Sequence, residues 1–452
     1  MNIMYIHTHD TGRLLSPYGY QVPTPGIRAF AEDSLVLRNC YTASPTCSPS
    51  RAALLTGMYP HENGMLGLAQ RGFSIDYKKH LVQFLNERNY HTVLSGIQHE
   101  SGWYLTKNDA DPIGYHENLT IDSEGYRQED LVRWDMENAG KVETWLMEYQ
   151  GDQPFFLSYG MFATHRKFPD WISGEVNENF LLPPAPVPDA PETRRDFAMF
   201  LTSVEWADRC FGRVLEALKK SGHYEDTILI LTTDHGIPFP YGKCSLFDPG
   251  IGVSMILRVP GSRTNGMVSD SLVSQIDIFP TLCELLNFEK PKHLRGVSIV
   301  PVLEDTGARV RDEIFAEVTF HTSYEPIRCV RTRRYKYIRW YDKTYLKTNQ
   351  SNLDESITKD YLGANGLEEQ VKYEEALYDL IYDTGERNNL IADPRYAVIA
   401  ATMREKLDRH LTETHDRITE GEIPVEPGWK VNKKECREAS SKNPDDYVSL
   451  GI

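Results

Sequence analysis

Cys47-Ser48-Pro49-Ser50-Arg51 runs into Ala52-Ala53-Leu54-Leu55-Thr56-Gly57. Proline suits the first position of a helix, where its missing N–H has no partner to lose. Alanine and leucine sustain a helix and glycine stops it. The stretch therefore predicts a short helix opening at Pro49, with Cys47 at its mouth. Unpaired backbone N–H groups and the helix dipole favour an anion there, and Arg51 adds a fixed positive charge one turn on. A lone cysteine is usually a small buried hydrophobe. These neighbours point instead to a negative group carried on, or attacked by, residue 47.

Outward from this helix, short apolar runs alternate with helical patterns. Candidate strands cover residues 3–7, 35–40, 92–96, 155–160, 227–232 and 253–259. Helical patterns start at Thr24-Pro25 and around Leu81, and cover about 128–149, 193–221 and 275–286. Continuous apolar strands separated by helices predict an α/β fold, a mostly parallel sheet sandwiched by helices. Ligands of such sheets sit at the C-terminal ends of the strands. Four polar clusters stand there: His7-Thr8-His9-Asp10, Gly96-Ile97-Gln98-His99, Ala163-Thr164-His165 and Thr233-Asp234-His235-Gly236. After residue 312 the texture changes. Strand-like runs at 313–321 and 327–340, a polar stretch at 348–370 read as long loops, and a helix at about 396–414 predict a smaller C-terminal α+β domain. The domains expected are 1–312 and 313–452.

Carboxylates at two strand ends, Asp10 and Asp234, can share a divalent cation, with His9 and His235 beside them. Capping a turn is the commoner job of a loop aspartate, so neither residue alone carries the reading. The chain has 452 residues and a net charge of −16, with no basic run. That argues against a nucleic-acid partner. An acidic chain that binds an anion must gather its positive charge locally, and Arg51 stands beside Cys47. Seven cysteines occur in no metal or disulfide spacing, which fits a reducing compartment. The first strand begins almost at Met1, and no apolar run is long enough to span a membrane. A cytoplasmic protein with no membrane partner is expected.

The run from Cys47 to Gly57 resembles the signature of the type I sulfatases, members of the alkaline-phosphatase-like superfamily. The resemblance implies that Cys47 is oxidised to formylglycine by a formylglycine-generating maturation enzyme and that the aldehyde hydrate is the nucleophile. It implies one divalent cation, Ca²⁺ by family habit, held by Asp10, Asp234, His235, His9 and residue 47. His9 stands where the family has aspartate, and its nitrogen favours Mn²⁺. His99 matches the histidine that holds the hydrate, His165 the one that protonates the leaving group, and Lys243 a sulfate-binding cation that, with Arg51 and the metal, is expected to neutralise the sulfuryl oxygens. Ile97 stands where a second sulfate-binding lysine is usual; Arg13 and Arg166 are the candidates to replace its charge. Pro60-His61-Glu62-Asn63-Gly64-Met65, Glu317-Val318-Thr319, Pro326-Ile327-Arg328 and Glu413-Thr414-His415-Asp416 resemble the heparan N-sulfatase branch. His61, Asn63, His321 and Arg328 are the candidates for recognising the sulfated group.

The resemblance implies a sulfatase acting on a small sulfated substrate, a sulfate ester or sulfamate of the N-sulfoglucosamine type. Aryl, steroid or O-sulfated sugar esters are alternatives with the same chemistry. Phosphonate monoester and phosphodiester hydrolases are another, since Asp-His at the second metal pair is at home there. A non-catalytic anion-binding protein on the same fold is the alternative that the changes at His9 and Ile97 motivate.

Overall fold

The computed structural model describes residues 1–449. Its centre is an eight-stranded sheet in the order Glu117–Asn118, His91–Gly96, Phe155–Gly160, Asn2–Thr8, Thr227–Thr233, Met255–Arg258, Leu35–Leu37, Val268–Ser269. All pairings are parallel except those of Met255–Arg258, which runs against both neighbours.

Strand side chains alternate between faces, and here both faces are apolar. Met4, Ile6, Leu157, Tyr159, Leu229 and Leu231 pack with Val142, Phe197, Leu201 and Val204 of the long helices Leu131–Glu148 and Pro191–Lys220. Ile3, Tyr5, Phe156, Ile228 and Ile230 pack on the other side with Leu54, Leu55, Phe84 and Phe279 of the helices Cys47–Thr56, Leu81–Asn86 and Ile278–Leu285. Each such side chain contributes about 1.5–3 kcal/mol on burial, so the continuous apolar strands specify a sheet covered on both sides.

The second sheet is antiparallel, Glu313–Phe320, Tyr324–Thr332, Tyr335–Trp340 and Glu375–Asp379 in that order. Phe320, Val330, Tyr337 and Leu377 meet Met403 and Leu407 of the helix Ala397–Glu413. Ile314, Val318, Cys329 and Ile338 meet Leu246 and Ile251 of the larger unit. No helix among the described residues is long and apolar enough to cross a membrane.

Four local expectations are corrected. The helix begins at Cys47, two residues before Pro49; proline is accommodated because the first four N–H groups of a helix have no intrahelical acceptor. Gly57 ends it at φ +65°, and a Cβ there would lie 2.5 Å from Leu294. The run 35–40 divides: Leu35–Leu37 joins the large sheet, while Cys40–Tyr41 pairs with Val273–Ser274. The run 327–340 is a hairpin turning at Arg333-Arg334. The polar stretch 348–370 contains a helix, Ile357–Ala364, capped by the Ser356 side chain on Lys359 N–H.

His80 caps the helix Leu81–Asn86 through Nδ1, which accepts from Val82 N–H. Burial alone pushes its pKa down to about 3, against about 6.5 in an unfolded chain. The folded state therefore favours the neutral ring. This stabilisation is complete above pH 6.5 and is lost as pH falls toward 3, by about 1.4 kcal/mol per pH unit. His80→Asn, which keeps an acceptor for the cap, is expected to show a shallower fall in apparent melting temperature between pH 6.5 and 4.5. A fall as steep as that of the parent would contradict this.

Candidate active site

Sheet register builds the site. Thr8 pairs with Thr233, His7 with Gly160, and Gly160 with Gly96. The residues just past these positions therefore emerge side by side. Gly96 sits at φ +76°, and a Cβ on it would lie 2.0 Å from the Gly160 carbonyl oxygen; glycine permits that approach. Asp10 N–H donates to Asp234 Oδ1 at 2.8 Å, and Ser50 Oγ donates to the Asp234 carbonyl, tying the cysteine helix to both strand ends.

Five buried side chains converge there: His9, Asp10, Cys47, Asp234 and His235 offer ligand atoms all within 4.8 Å of one another. His9 Nδ1 lies 2.7 Å from Asp10 Oδ1 and 3.0 Å from Asp234 Oδ2; His235 Nε2 lies 3.0 Å from Asp10 Oδ1 and 3.4 Å from Cys47 Sγ. His235 Nδ1 donates to the Gly236 carbonyl at 3.0 Å, which turns Nε2 toward the cluster. An imidazole oriented by its other nitrogen is the usual arrangement of a metal-binding histidine. Two carboxylates and two imidazoles around one point fit a divalent cation.

The charges explain why so many ionisable groups tolerate burial. Burial raises both carboxylates, but Lys243 and His9 at Asp10, and His235, His9 and Arg51 at Asp234, outweigh it and hold both well below the usual carboxylate range. Burial also pushes the Cys47 thiol up, and Lys243 and His9 outweigh that, so residue 47 stands where a negative group is favoured.

Arg51 is spent inside the protein. It donates to Asp234 Oδ2 at 3.0 Å and meets His7 Nδ1 at 2.5 Å, so it orients Asp234 rather than facing the opening. Lys243 Nζ donates to Asp10 Oδ2 at 3.0 Å and lies 3.4 Å from His165 Nε2. His165 Nδ1 bonds to the Arg166 carbonyl, leaving Nε2 toward the site. His99 Nε2 donates to Gln70 Oε1 at 2.9 Å, while its Nδ1 is buried without a partner. Burial pushes His99 down to about 4, so that nitrogen is a free base at neutral pH.

Ile97 is buried against Tyr104, Trp134 and Phe162, and the two arginines suggested as substitutes are committed elsewhere. Arg166 forms a two-pronged pair with Asp196 at 2.7 and 2.9 Å, and Arg13 donates to the Cys40 carbonyl above the Tyr41 ring. Among the four recognition candidates, His321 lies in the field of Lys243 and Cys47, and burial pushes its pKa down to about 3. Asn63 caps Met65 N–H and bonds Thr56 Oγ1. His61 pairs with Glu317, and Arg328 pairs with Asp416 and donates to the carbonyls of Val318 and Ile327. All three thus have internal partners: Asn63 is held within its own turn, while His61, from the helix Pro60–Asn63, and Arg328, from the small sheet, share the buried carboxylates Glu317 and Asp416.

Two carboxylates went unread in the sequence. Asp135 accepts from the backbone N–H groups of Phe162 and Ala163 at 2.7 and 2.8 Å, fixing the loop that carries His165. Asp354, from the polar excursion of the small sheet, accepts from Lys243 Nζ at 3.1 Å. Nothing in the local pattern of either marks it: one is a helix aspartate, the other a residue in a stretch read as loop.

A sheet that delivers paired carboxylates, a nucleophile position and a cation to one buried point defines a hydrolase of anionic esters. The sulfatase family model matches residues 1–288, and the chain belongs to that family. The model described as N-sulphoglucosamine sulphohydrolase, C-terminal, matches residues 234–355. The chain is 28% identical to human N-sulphoglucosamine sulphohydrolase, covering 87% of this chain and 86% of the relative. It is also 28% identical to an ulvan-active sulfatase of Formosa agariphila, over 92% of this chain and 75% of the relative. The phosphonate monoester hydrolase of Agrobacterium radiobacter shares the fold, with TM-score 0.73, 19% identity and 100% of both chains covered.

Proposed function

We propose that this sulfatase removes sulfate from a sulfated sugar, a sulfamate of the N-sulfoglucosamine type first, through a formylglycine made from Cys47 by a maturation enzyme. The observation that carries the reading is the meeting of the buried Cys47, Lys243 and His99 with the half-buried His165 beside the Asp10–Asp234 carboxylate pair. The human relative's name and the C-terminal family match support the N-sulfated substrate.

Asp10, Asp234, His235 and His9 would hold the cation, which polarises oxygens facing it and offsets their negative charge. An aldehyde hydrate at residue 47 supplies one hydroxyl for attack and another for release of sulfate. Lys243 binds the sulfuryl oxygens, the main electrostatic task. His165, with Nε2 toward the site, hands a proton to the departing nitrogen or oxygen. His99 Nδ1 takes a proton from residue 47. Arg51 keeps Asp234 ionised and oriented. Lys243→Ala is expected to lower kcat/KM by roughly 10²–10³-fold; a loss under 3-fold in steady-state assays would remove Lys243 from this role.

We assign calcium from the family, with manganese as the alternative that the two imidazole donors favour. Chelation is expected to abolish turnover and either ion to restore it; full activity in excess chelator would contradict a cation here. The substrate is tested by comparing kcat/KM on N-sulfoglucosamine, nitrophenyl sulfate and bis(nitrophenyl) phosphate. The sugar sulfamate should be preferred. Preference for the phosphodiester would move the reading to the phosphonate monoester and phosphodiester hydrolases.

A further inference from the structure

Between Tyr335–Trp340 and Glu375–Asp379 the chain leaves the small sheet and crosses to the catalytic crevice. Two anchors hold this excursion. On one side, Asn352 Oδ1 accepts from the N–H groups of Thr322 and Ser323, and Thr322 Oγ1 donates to the Ser351 carbonyl. On the other, Thr358 N–H and Oγ1 donate to Asp196, the same carboxylate that clamps Arg166 beside His165. Asp354 lies between the anchors, so its carboxylate is placed by structure on both sides.

That carboxylate differs from the others at the site. The side chains of Asp10 and Asp234 are fully buried and Lys243 is 4% exposed, while Asp354 is 18% exposed. Its one side-chain hydrogen bond among the described residues comes from Lys243 Nζ, although an ionised carboxylate has about four acceptor sites. Lys243 fills one of those sites, as it does on Asp10, and the partly exposed remainder repels a sulfuryl group unless a donor of the ligand meets it. With Lys243 on the sulfuryl oxygens, the donor nearest to a group 3.1 Å away is the one attached to sulfur. A sulfamate has an N–H there; a sulfate ester has an oxygen with lone pairs.

We propose that Asp354 is the residue that selects sulfamates over sulfate esters, accepting a hydrogen bond from the scissile N–H and repelling the bridging oxygen of an ester. This rests on the sulfamate reading given above. A site built around a donor rejects the analogue that lacks it, because its acceptor is left unpaired. It also explains why Asp354, unlike Asp10, keeps part of its carboxylate open beside Lys243.

The test is a cycle of two enzymes and two substrates. N-sulfoglucosamine and glucose 2-sulfate differ at the scissile atom, and kcat/KM is measured for both with the parent protein and Asp354→Asn. The preference for the sulfamate is expected to fall by roughly 10- to 100-fold in the variant, the scale of one charge-assisted hydrogen bond. Because the preference is a ratio within one preparation, partial misfolding of the variant cancels. Equal losses on both substrates would mean that Asp354 only steadies Lys243 and would overturn the proposal, as would no change on either. A parent protein that does not hydrolyse N-sulfoglucosamine defeats the sulfamate reading itself, and this inference with it, and does so before any variant is made.

Discussion

Cys47→Ala is expected to lower sulfate release by about 10⁴-fold or more on every substrate the parent accepts, the scale on which removing a covalent nucleophile acts. The fold should survive. Residue 47 is 1% exposed at the start of its helix, and alanine is the best helix former. The variant removes one small side chain next to groups that hold each other: Asp234 keeps Arg51 and His9, and Asp10 keeps Lys243 and His235. An unchanged melting curve with lost turnover is the expected pair of results. Substantial turnover by the alanine variant would remove residue 47 from the chemistry and leave the cation and Lys243 to act on water.

The second large effect concerns stability. Arg328→Met is expected to cost about 3–5 kcal/mol, the scale for breaking a buried ion pair by removing one partner. Arg328 is 1% exposed; it bonds Asp416 at 2.6 and 3.2 Å and fills the carbonyls of Val318 and Ile327. Its loss leaves Glu317 and Asp416 facing each other with His61 as their remaining cation. Burial raises Asp416, yet Arg328 outweighs it and holds the carboxyl at about 2, below the unfolded value near 3.9. That contribution is complete above pH 4 and is lost as pH falls through 2. The difference in denaturation midpoint between parent and variant should therefore be largest near neutrality and shrink toward pH 3. Kinetics of the folded variant should keep the parent's KM, because Arg328 faces no opening. A raised KM with unchanged stability would return Arg328 to substrate recognition.

The sheet was legible because its strands are apolar on both faces and its helices long and amphipathic. Asp10, Asp234 and His235 were legible because they follow strands directly, and register then fixes where they meet. Reach was not legible. Whether Arg51 points out or inward depends on Asp234 lying behind it, and whether Arg328 meets substrate or Asp416 depends on how the small sheet docks. Asp354 needed both: a polar stretch without apolar periodicity gives no hint that it returns across the crevice, and its partner lies far away in sequence. The helix Ile357–Ala364 escaped notice for a related reason, since Ser356 caps it but its face is half polar.

The most direct test of the account is the mass of the peptide carrying residue 47, taken from preparations made with different amounts of a formylglycine-generating enzyme and compared with sulfate released from N-sulfoglucosamine. The account predicts that turnover rises in proportion to the fraction of residue 47 found as the aldehyde and vanishes with it. Full turnover from protein whose Cys47 is entirely unmodified would contradict it.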